Sequence, residues 1–276
     1  MKVQCQICPH HCKLEENQRG LCRGRGNVNG EIVALNYGLI TSIALDPIEK
    51  KPLRNFYPGK NILSIGSFGC NLKCLFCQNH QISMVSENDI PVKKLSPEEL
   101  IEIAIDLKPR ENIGIAYTYN EPLIGYEYLR DCAKLARENN LKNVVVTNGF
   151  FCQEPMKELL PHIDALNVDL KGFSDDFYKK VGGKLDTVKD FIELAARYCH
   201  VEVTTLIIPG ENDKEDEIRE LSKFLASINP DIPLHITRFF PNYKMMDKRP
   251  TEIKTIFRLA NIARKNLKYV YEGNCR

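Results

Sequence analysis

The chain carries its most informative stretch at residues 64–79, which read SIGSFGCNLKCLFCQN. Cys70, Cys74 and Cys77 have the spacing C-x3-C-x2-C, directly after a β-branched run that predicts a strand. Three thiolates on one loop can bind three irons of a [4Fe–4S] cluster, and the sequence offers no nearby fourth cysteine for the last iron. One iron would therefore stay open to another ligand.

Structural zinc is the alternative for this loop, because His80 could complete a tetrahedral site with the three cysteines. His80 follows Cys77 so closely that joint ligation would be awkward without a longer loop. Chance spacing is the remaining alternative. The position after a strand favours the iron–sulfur interpretation, since loops that follow parallel strands are where barrel enzymes place their chemistry.

Downstream of this loop, β-branched runs alternate with amphipathic helical stretches. The predicted strands are Ile62–Ile65, Ile113–Tyr117, Asn143–Thr147, Ala165–Asp169, Val201–Ile208 and Leu234–Arg238. The predicted helices are Pro97–Leu107, Leu123–Glu138, Asp186–Tyr198, Glu215–Ala226 and Thr251–Lys265. The first helix has the clearest start, with Ser96 as its cap and Pro97 in its first turn.

Strands regularly separated by helices predict a parallel sheet, either an open doubly wound sheet or a barrel. Six such units are too few for a complete eight-unit barrel. We predict an α/β fold, a partial (β/α)6 TIM-like barrel with a small Cys-rich module before it. The expected regions are a metal-binding module at 1–60, the barrel at 61–245, and a helix and strand at 246–276 that pack on the barrel.

The bulk properties exclude several classes of protein. With 276 residues, the chain is long enough for one large domain and a small appendage. A formal charge of +2 gives no reason to expect nucleic acid or an anionic membrane as a partner. The N-terminus has no signal-peptide pattern and no apolar run approaches spanning length, so we expect a cytoplasmic protein. Its eleven cysteines would then be reduced, which favours metal or redox chemistry over disulfides.

A second group of cysteines lies near the N-terminus. Cys5, Cys8, Cys12 and Cys22 offer four thiolates within about 18 residues. Residues 1–60 are rich in turn residues and have only two strand candidates, Ile32–Leu35 and Ile40–Leu45. Because a module with little core commonly relies on a structural metal, we expect zinc or a second iron–sulfur cluster there. Four unliganded thiols are the alternative.

The triad with Phe76 in the pattern C-x3-C-x-Φ-C resembles the defining motif of the radical S-adenosylmethionine (SAM) superfamily. The resemblance implies an oxidoreductase-type enzyme in which the open iron chelates SAM. One-electron reduction then cleaves SAM to methionine and a 5′-deoxyadenosyl radical, which abstracts hydrogen from a substrate. It also implies that Phe76 lies beside the adenine.

Polar residues near the ends of later strands resemble the SAM-binding segments of glycyl-radical-activating enzymes. The resemblance implies cofactor contacts from Asn120, Glu121, Thr147, Asn148, Asp169, Lys171, Thr205 and His235. Tyr119 and Asn120 stand where the family has two glycines. Lys171 could pair with the SAM carboxylate. A lone strand histidine such as His235 is more often a satisfied core residue.

Most of the chain resembles the AmmeMemoRadiSam-system radical SAM proteins, which are related to pyruvate formate-lyase-activating enzymes. This resemblance implies an electron donor such as flavodoxin or ferredoxin, and Memo-like or AMME-syndrome-candidate-like proteins as partners. The alternatives are a glycyl-radical activase and, from another class, a zinc-binding interaction module or an iron–sulfur electron carrier. The sequence does not identify the substrate.

Overall fold

The computed structural model describes residues 2–275, which contain fourteen strands and eight α-helices. The strands are β1 (Val3–Gln4), β2 (Lys13–Leu14), β3 (Arg25–Val28), β4 (Glu31–Ala34), β5 (Leu39–Ile40), β6 (Ser42–Pro47), β7 (Asn61–Gly66), β8 (Lys93–Lys94), β9 (Asn112–Tyr117), β10 (Lys142–Thr147), β11 (Ala165–Asp169), β12 (His200–Ile207), β13 (Leu234–Arg238) and β14 (Val270–Gly273). The helices are α1 (His80–Ser83), α2 (Pro97–Asp106), α3 (Tyr126–Glu138), α4 (Gln153–Leu159), α5 (Asp175–Val181), α6 (Leu185–Ala195), α7 (Glu215–Ile228) and α8 (Ile253–Ala263).

One eight-stranded sheet organises the molecule. Its strand order is β14-β13-β12-β11-β10-β9-β7-β6, and every neighbouring pair is parallel except β6 with β7. Each later strand is added beside the preceding one, with helices in the connections, as right-handed crossovers require. The terminal strands β6 and β14 are not paired with each other in this order, so the barrel is incomplete. This confirms the α/β class and the partial TIM-like barrel.

Strand β6 differs from the sequence prediction for the first 60 residues. It pairs antiparallel with β7 over six residue pairs, from Ser42 opposite Gly66 to Pro47 opposite Asn61. The run Ile40–Leu45 therefore divides between β5 and the edge of the barrel sheet. The sequence did not predict the pairing of β6 with β7, because the two strands are separated by residues 48–60, which carry turn residues and no strand pattern.

Residues 51–55, here called the seam segment, connect parts of the barrel that the sheet does not join. The Asn167 side chain donates to Pro52 O at 2.8 Å, and the Glu202 carboxylate accepts the backbone N–H groups of Arg54 and Asn55. Tyr271 of β14 donates its hydroxyl to Asn55 Oδ1 at 2.6 Å. The seam segment therefore links β11 and β12 with the free edge strand β14.

Helix α2 shows how local sequence fixes an element. Ser96 Oγ accepts from Glu99 N at 3.2 Å, and the Glu99 carboxylate accepts from Ser96 N at 2.7 Å, which forms a capping box. The predicted cap is confirmed.

No described helix combines the length and the apolar character that crossing a membrane requires.

The N-terminal module consists of two short hairpins, β1–β2 and β3–β4, and it packs on the barrel. Arg25 of β3 forms a two-pronged ion pair with Glu127 of α3, with N···O distances of 2.8 and 2.6 Å. The Arg25 side chain is almost fully buried, so this pair fixes the module against the barrel. The proposed domain boundaries remain a prediction.

Candidate active site

The loop after β7 brings three cysteines to the carboxyl end of the parallel sheet. Cys70, Cys74 and Cys77 all line one cavity of about 350 Å³, here called the triad cavity. Cys74 is buried, while Cys70 and Cys77 are partly exposed. Leu72 N donates to Cys70 Sγ at 3.4 Å, so the loop backbone already turns toward this sulfur.

The thiol chemistry of the triad fits an iron–sulfur cluster. Burial raises the pKa of Cys74 to about 12, and burial together with the charge of Glu121 raises the pKa of Cys70 well above its ordinary value. Buried thiols of this kind become thiolates when a metal supplies the compensating positive charge. The other residues lining the triad cavity include no fourth cysteine. The donor set therefore suits a cluster with one iron open.

The zinc alternative finds no support in the geometry. His80 is not among the residues that line the triad cavity, and its ring stacks on Tyr243 with centroids 4.4 Å apart. Within residues 2–275, no three His, Cys, Asp or Glu side chains lie close enough together to hold a single metal ion. A cluster binds each cysteine through a different iron, so its sulfurs lie farther apart than those around one zinc.

Seven of the predicted cofactor contacts line the triad cavity. They are Phe76, Asn120, Glu121, Thr147, Asn148, Asp169 and Lys171. They come from the cluster loop and from the ends of β9, β10 and β11, because the carboxyl ends of parallel strands meet at one edge of a sheet.

Glu121 is a buried carboxylate that accepts three hydrogen bonds. Oε1 accepts from Thr147 Oγ1 at 2.8 Å and from Leu123 N at 3.1 Å, and Oε2 accepts from Asn148 N at 2.8 Å. Burial raises its pKa to about 7, although these three hydrogen bonds act in the opposite direction. Glu121 thus caps the turn that starts at Pro122 and also borders the triad cavity.

Lys171 supplies a positive charge beside the cysteines. Its Nζ lies 2.6 Å from Asp169 Oδ2. Burial alone would lower the pKa of Lys171, but Asp169 and the Cys74 thiolate raise it above its ordinary value. Lys171 therefore remains an ammonium, and the carboxylate beside it keeps that charge in the cavity.

Asn120 holds the cluster loop in place. Its Oδ1 accepts from Ser67 N at 2.9 Å, and its Nδ2 lies 3.1 Å from both Phe68 O and Gly69 O. These backbone groups directly precede Cys70. Asn120 is therefore a positioning residue for the triad, as well as a residue of the cavity wall.

Two of the predicted contacts, Thr205 and His235, lie outside the lining of the triad cavity and remain predictions. Thr205 is fully buried and donates to Leu170 O at 2.9 Å. His235 is buried with its Nε2 2.6 Å from Glu202 Oε2. The carboxylate of Glu202 thus occupies Nε2 of this ring.

Thr204 and Thr237 line the cavity instead, one residue before Thr205 and two residues after His235. In the sheet, Thr204 pairs with Asp169, and Thr237 pairs with Leu206. Thr204 and Thr205 point to opposite faces because side chains on a strand alternate, and the register that pairs Thr204 with Asp169 is not specified by the local sequence.

Another part of the cavity wall had no signal in the sequence. Tyr119 adopts a left-handed backbone conformation with φ of 70° and donates its hydroxyl to Asp46 Oδ2 at 2.7 Å. Lys51 Nζ is 2.9 Å from the same carboxylate oxygen and 4.8 Å from the centre of the Tyr119 ring. Tyr119 and Lys51 both line the triad cavity. This wall joins β6, the seam segment and the end of β9.

The N-terminal cysteines surround a separate, enclosed cavity, here called the module cavity. It is lined by Cys5, Cys8, Cys12 and Cys22 together with Ile7, His10, Leu14, Gly20, Arg25 and Ile124. Three of the four cysteines are buried and Cys12 is partly exposed. Sequence alone placed these four together, and the structure shows them around one space.

Comparison with known proteins adds family evidence to this geometry. Residues 64–224 match the family model of the Radical SAM superfamily. An uncharacterised protein of Methanocaldococcus jannaschii is 45% identical over 278 residues, which is 99% of this chain and 81% of that protein. The pyruvate formate-lyase-activating enzyme of Clostridium pasteurianum is 29% identical over 165 residues, which is 58% of this chain and 67% of that enzyme.

A solved structure shares the fold. Streptococcus suis SuiB bound to S-adenosylmethionine superimposes with a TM-score of 0.58 at 14% identity, covering 78% of this chain and 52% of that one. This likeness concerns the fold alone.

Proposed function

This chain belongs to the radical SAM superfamily, whose members cleave SAM reductively at a [4Fe–4S] cluster, and we propose that Cys70, Cys74 and Cys77 bind that cluster. The observation that carries the proposal is a single cavity lined by the three thiols and by polar residues from three successive strand ends. Once held by the three cysteines, the cluster coordinates SAM at its open iron. It supplies the electron that cleaves SAM to methionine and a 5′-deoxyadenosyl radical. The chain is an enzyme, and its substrate is not identified.

The polar residues of the cavity position SAM in this proposal. Lys171 pairs with the SAM carboxylate, because its ammonium acts electrostatically on Cys74, and Asp169 holds it in place. Glu121, Thr147 and Asn148 form one hydrogen-bonded wall beside the methionine end. Phe76 is buried against Phe177, with ring centroids 6.1 Å apart, and offers an apolar face to the adenine.

The test is anaerobic reconstitution with iron and sulfide, followed by reduction with dithionite in the presence of SAM. We expect 5′-deoxyadenosine to form, and we expect Cys74→Ala to abolish its formation. Cys199→Ala is the matched control, because Cys199 lies outside the triad cavity and contacts Ala195 O. If the reduced wild-type protein contains an intact cluster and cleaves no SAM, the proposal is wrong.

The radical acts on a protein or small molecule by hydrogen abstraction. Activation of a glycyl-radical enzyme is the second candidate, and the likeness to pyruvate formate-lyase-activating enzyme favours it. A glycyl-radical EPR signal in a co-expressed partner would support activation. Deuterium transfer from a labelled small molecule into 5′-deoxyadenosine would instead identify a small-molecule substrate.

Activity requires a partner that delivers electrons. We propose a low-potential flavodoxin or ferredoxin for this role. The resemblance described above adds Memo-like and AMME-syndrome-candidate-like proteins as proposed partners, and copurification from cells is the direct test for them.

A further inference from the structure

The module cavity has the composition of a metal site. Its four cysteines are the metal-binding groups, and aliphatic side chains such as Ile7, Leu14 and Ile124 form much of the remaining wall. The four thiols face one enclosed space of about 10 Å³ within an otherwise close-packed wall.

A buried donor in the same cavity wall lacks an acceptor. Arg25 uses its terminal nitrogens to bind Glu127 and Ile124 O, but its buried Nε has no hydrogen-bond partner. Buried N–H groups are nearly always paired in native proteins. Thiolate or sulfide sulfur within the module cavity would provide the missing acceptor.

The spacing of the thiols distinguishes between two kinds of metal site. A single zinc ion requires its sulfurs at about 2.3 Å from one point. Nowhere in residues 2–275 do three potential ligands approach each other closely enough for one ion. We propose that Cys5, Cys8, Cys12 and Cys22 bind a second [4Fe–4S] cluster, in which every iron has a cysteine ligand and none is left for SAM.

The two cysteine groups are directly connected through their backbones. Cys70 N donates a hydrogen bond to Cys22 O at 3.1 Å. Gly69 makes this approach possible, because a Cβ at that position would lie 2.4 Å from Cys22 O. A second contact joins His10 Nε2 to Asn71 O at 2.8 Å. A ligand of one site is therefore separated from a ligand of the other by covalent bonds and one hydrogen bond.

This connection gives the module site a role in electron delivery. The delivery role rests on the proposed function, whereas the proposal of a metal site does not. A low-potential flavin or iron–sulfur protein reduces the module site by one electron, and the electron then moves to the site at Cys70. No bond forms or breaks in this transfer. Cys12 is the one partly exposed ligand of the four, so the electron enters on its side.

The metal site is tested in a Cys70→Ala/Cys74→Ala/Cys77→Ala variant, reconstituted anaerobically. We expect it to keep about four irons and four sulfides per chain. After reduction its EPR signal should not change when SAM is added, because no iron is open. Zinc in place of iron, or no metal at all, would overturn the proposed cluster. Wild-type protein that contains both clusters but cleaves no SAM would contradict the proposed function alone.

The delivery role is tested in Cys12→Ser and in Cys5→Ser/Cys8→Ser, with Cys152→Ser as the control. Cys152 lies 4.0 Å from His11 but does not line the module cavity. We expect both module variants to keep a cluster at Cys70 whose EPR signal responds to SAM, which also shows that the barrel is folded. With reduced flavodoxin as donor, 5′-deoxyadenosine formation should fall at least tenfold in the module variants and stay unchanged in the control. An unchanged rate in the module variants would overturn the delivery role.

Discussion

At the scale of single residues, Lys171 is the ammonium beside the cysteine triad. Lys171 keeps its proton chiefly because the Asp169 carboxylate lies beside it, despite burial that favours the neutral amine. Thr147 and Asn148 meanwhile direct their hydrogen-bond donors to Glu121. The cavity thus offers the Lys171 ammonium and the Glu121 carboxyl group at different strand ends, and a zwitterionic amino acid end has a complement for each.

Replacing Lys171 with Met should weaken SAM binding while leaving the cluster in place. Hydrogen bonds to charged groups contribute about 1.5–3 kcal/mol, which corresponds to a roughly 10- to 100-fold rise in the Kd for SAM. The measurement is a SAM titration followed by the EPR signal of the reduced cluster. Lys180→Met is the control, since Lys180 is exposed and pairs with Glu211. Equal Kd values for the two variants would show that Lys171 does not bind SAM.

Residue identities in this site were only partly readable from sequence. The motif spacing identified Cys70, Cys74 and Cys77, and strand ends indicated Asp169 and Lys171. For His235, the sequence does not reveal that Glu202, 33 residues earlier, accepts a hydrogen bond from its ring. Partners across a sheet depend on register, which the local pattern does not specify.

At the scale of elements, the cluster loop depends on a glycine. Gly69 has a φ of 88°, and an added Cβ would lie 2.4 Å from Cys22 O. Gly59 has a similar φ of 81°, but nothing lies within 4 Å of its added Cβ. An alanine would have similar left-handed strain at either position, but the two positions differ in their surroundings.

Gly69→Ala should therefore destabilise the protein more than Gly59→Ala does. Left-handed strain alone costs about 1–2 kcal/mol, which both variants share. In Gly69→Ala the added methyl group also forces the cluster loop away from the module. We expect this to lower the free energy of unfolding by about 2 kcal/mol more than in Gly59→Ala. Denaturant unfolding of the two apoproteins measures this difference. If the variants unfold at the same denaturant concentration, the loop and module are not tightly joined.

Strands β12 and β13 meet the seam segment at a buried carboxylate. Burial alone would raise the pKa of Glu202, but hydrogen bonds from His200, His235 and two backbone N–H groups lower it to about 2. A carboxylate with a lowered pKa stabilises the fold above its unfolded-state pKa, and this stabilisation is lost as the pH falls through its folded-state value.

Comparison of wild type with Glu202→Gln tests this cluster. Above pH 5, wild type should be more stable, and the part of the difference that comes from ionisation is up to about 3 kcal/mol. Between pH 4.5 and 2 that part should disappear, because protonated Glu202 resembles the amide. The measurement is the free energy of unfolding as a function of pH. A pH-independent difference would show that Glu202 acts without its charge.

At the scale of the whole molecule, the sequence predicted the order of strands and helices better than the closure of the barrel. Apolar runs such as Asn143–Thr147 are local and stand out. The antiparallel strand β6 and the wall at Tyr119 arise from contacts between distant segments, as the Tyr119–Asp46 hydrogen bond shows. No local periodicity encodes such contacts. The sequence predicted four cysteines for a metal in the module, but not their backbone link to Cys70.

The seam segment has a consequence for motion. Strands β6 and β14 each have a neighbour on one side only, and side-chain hydrogen bonds from Asn167, Glu202 and Tyr271 connect the seam segment to the barrel. Such bonds open without disrupting a backbone ladder, so this side of the barrel should fluctuate more readily than its centre. In amide hydrogen–deuterium exchange, residues 42–47 and 270–273 should exchange faster than β10 and β11. Uniform protection across all eight strands would instead show that this side of the barrel is rigid. A bulky substrate would then enter through the mouth of the triad cavity.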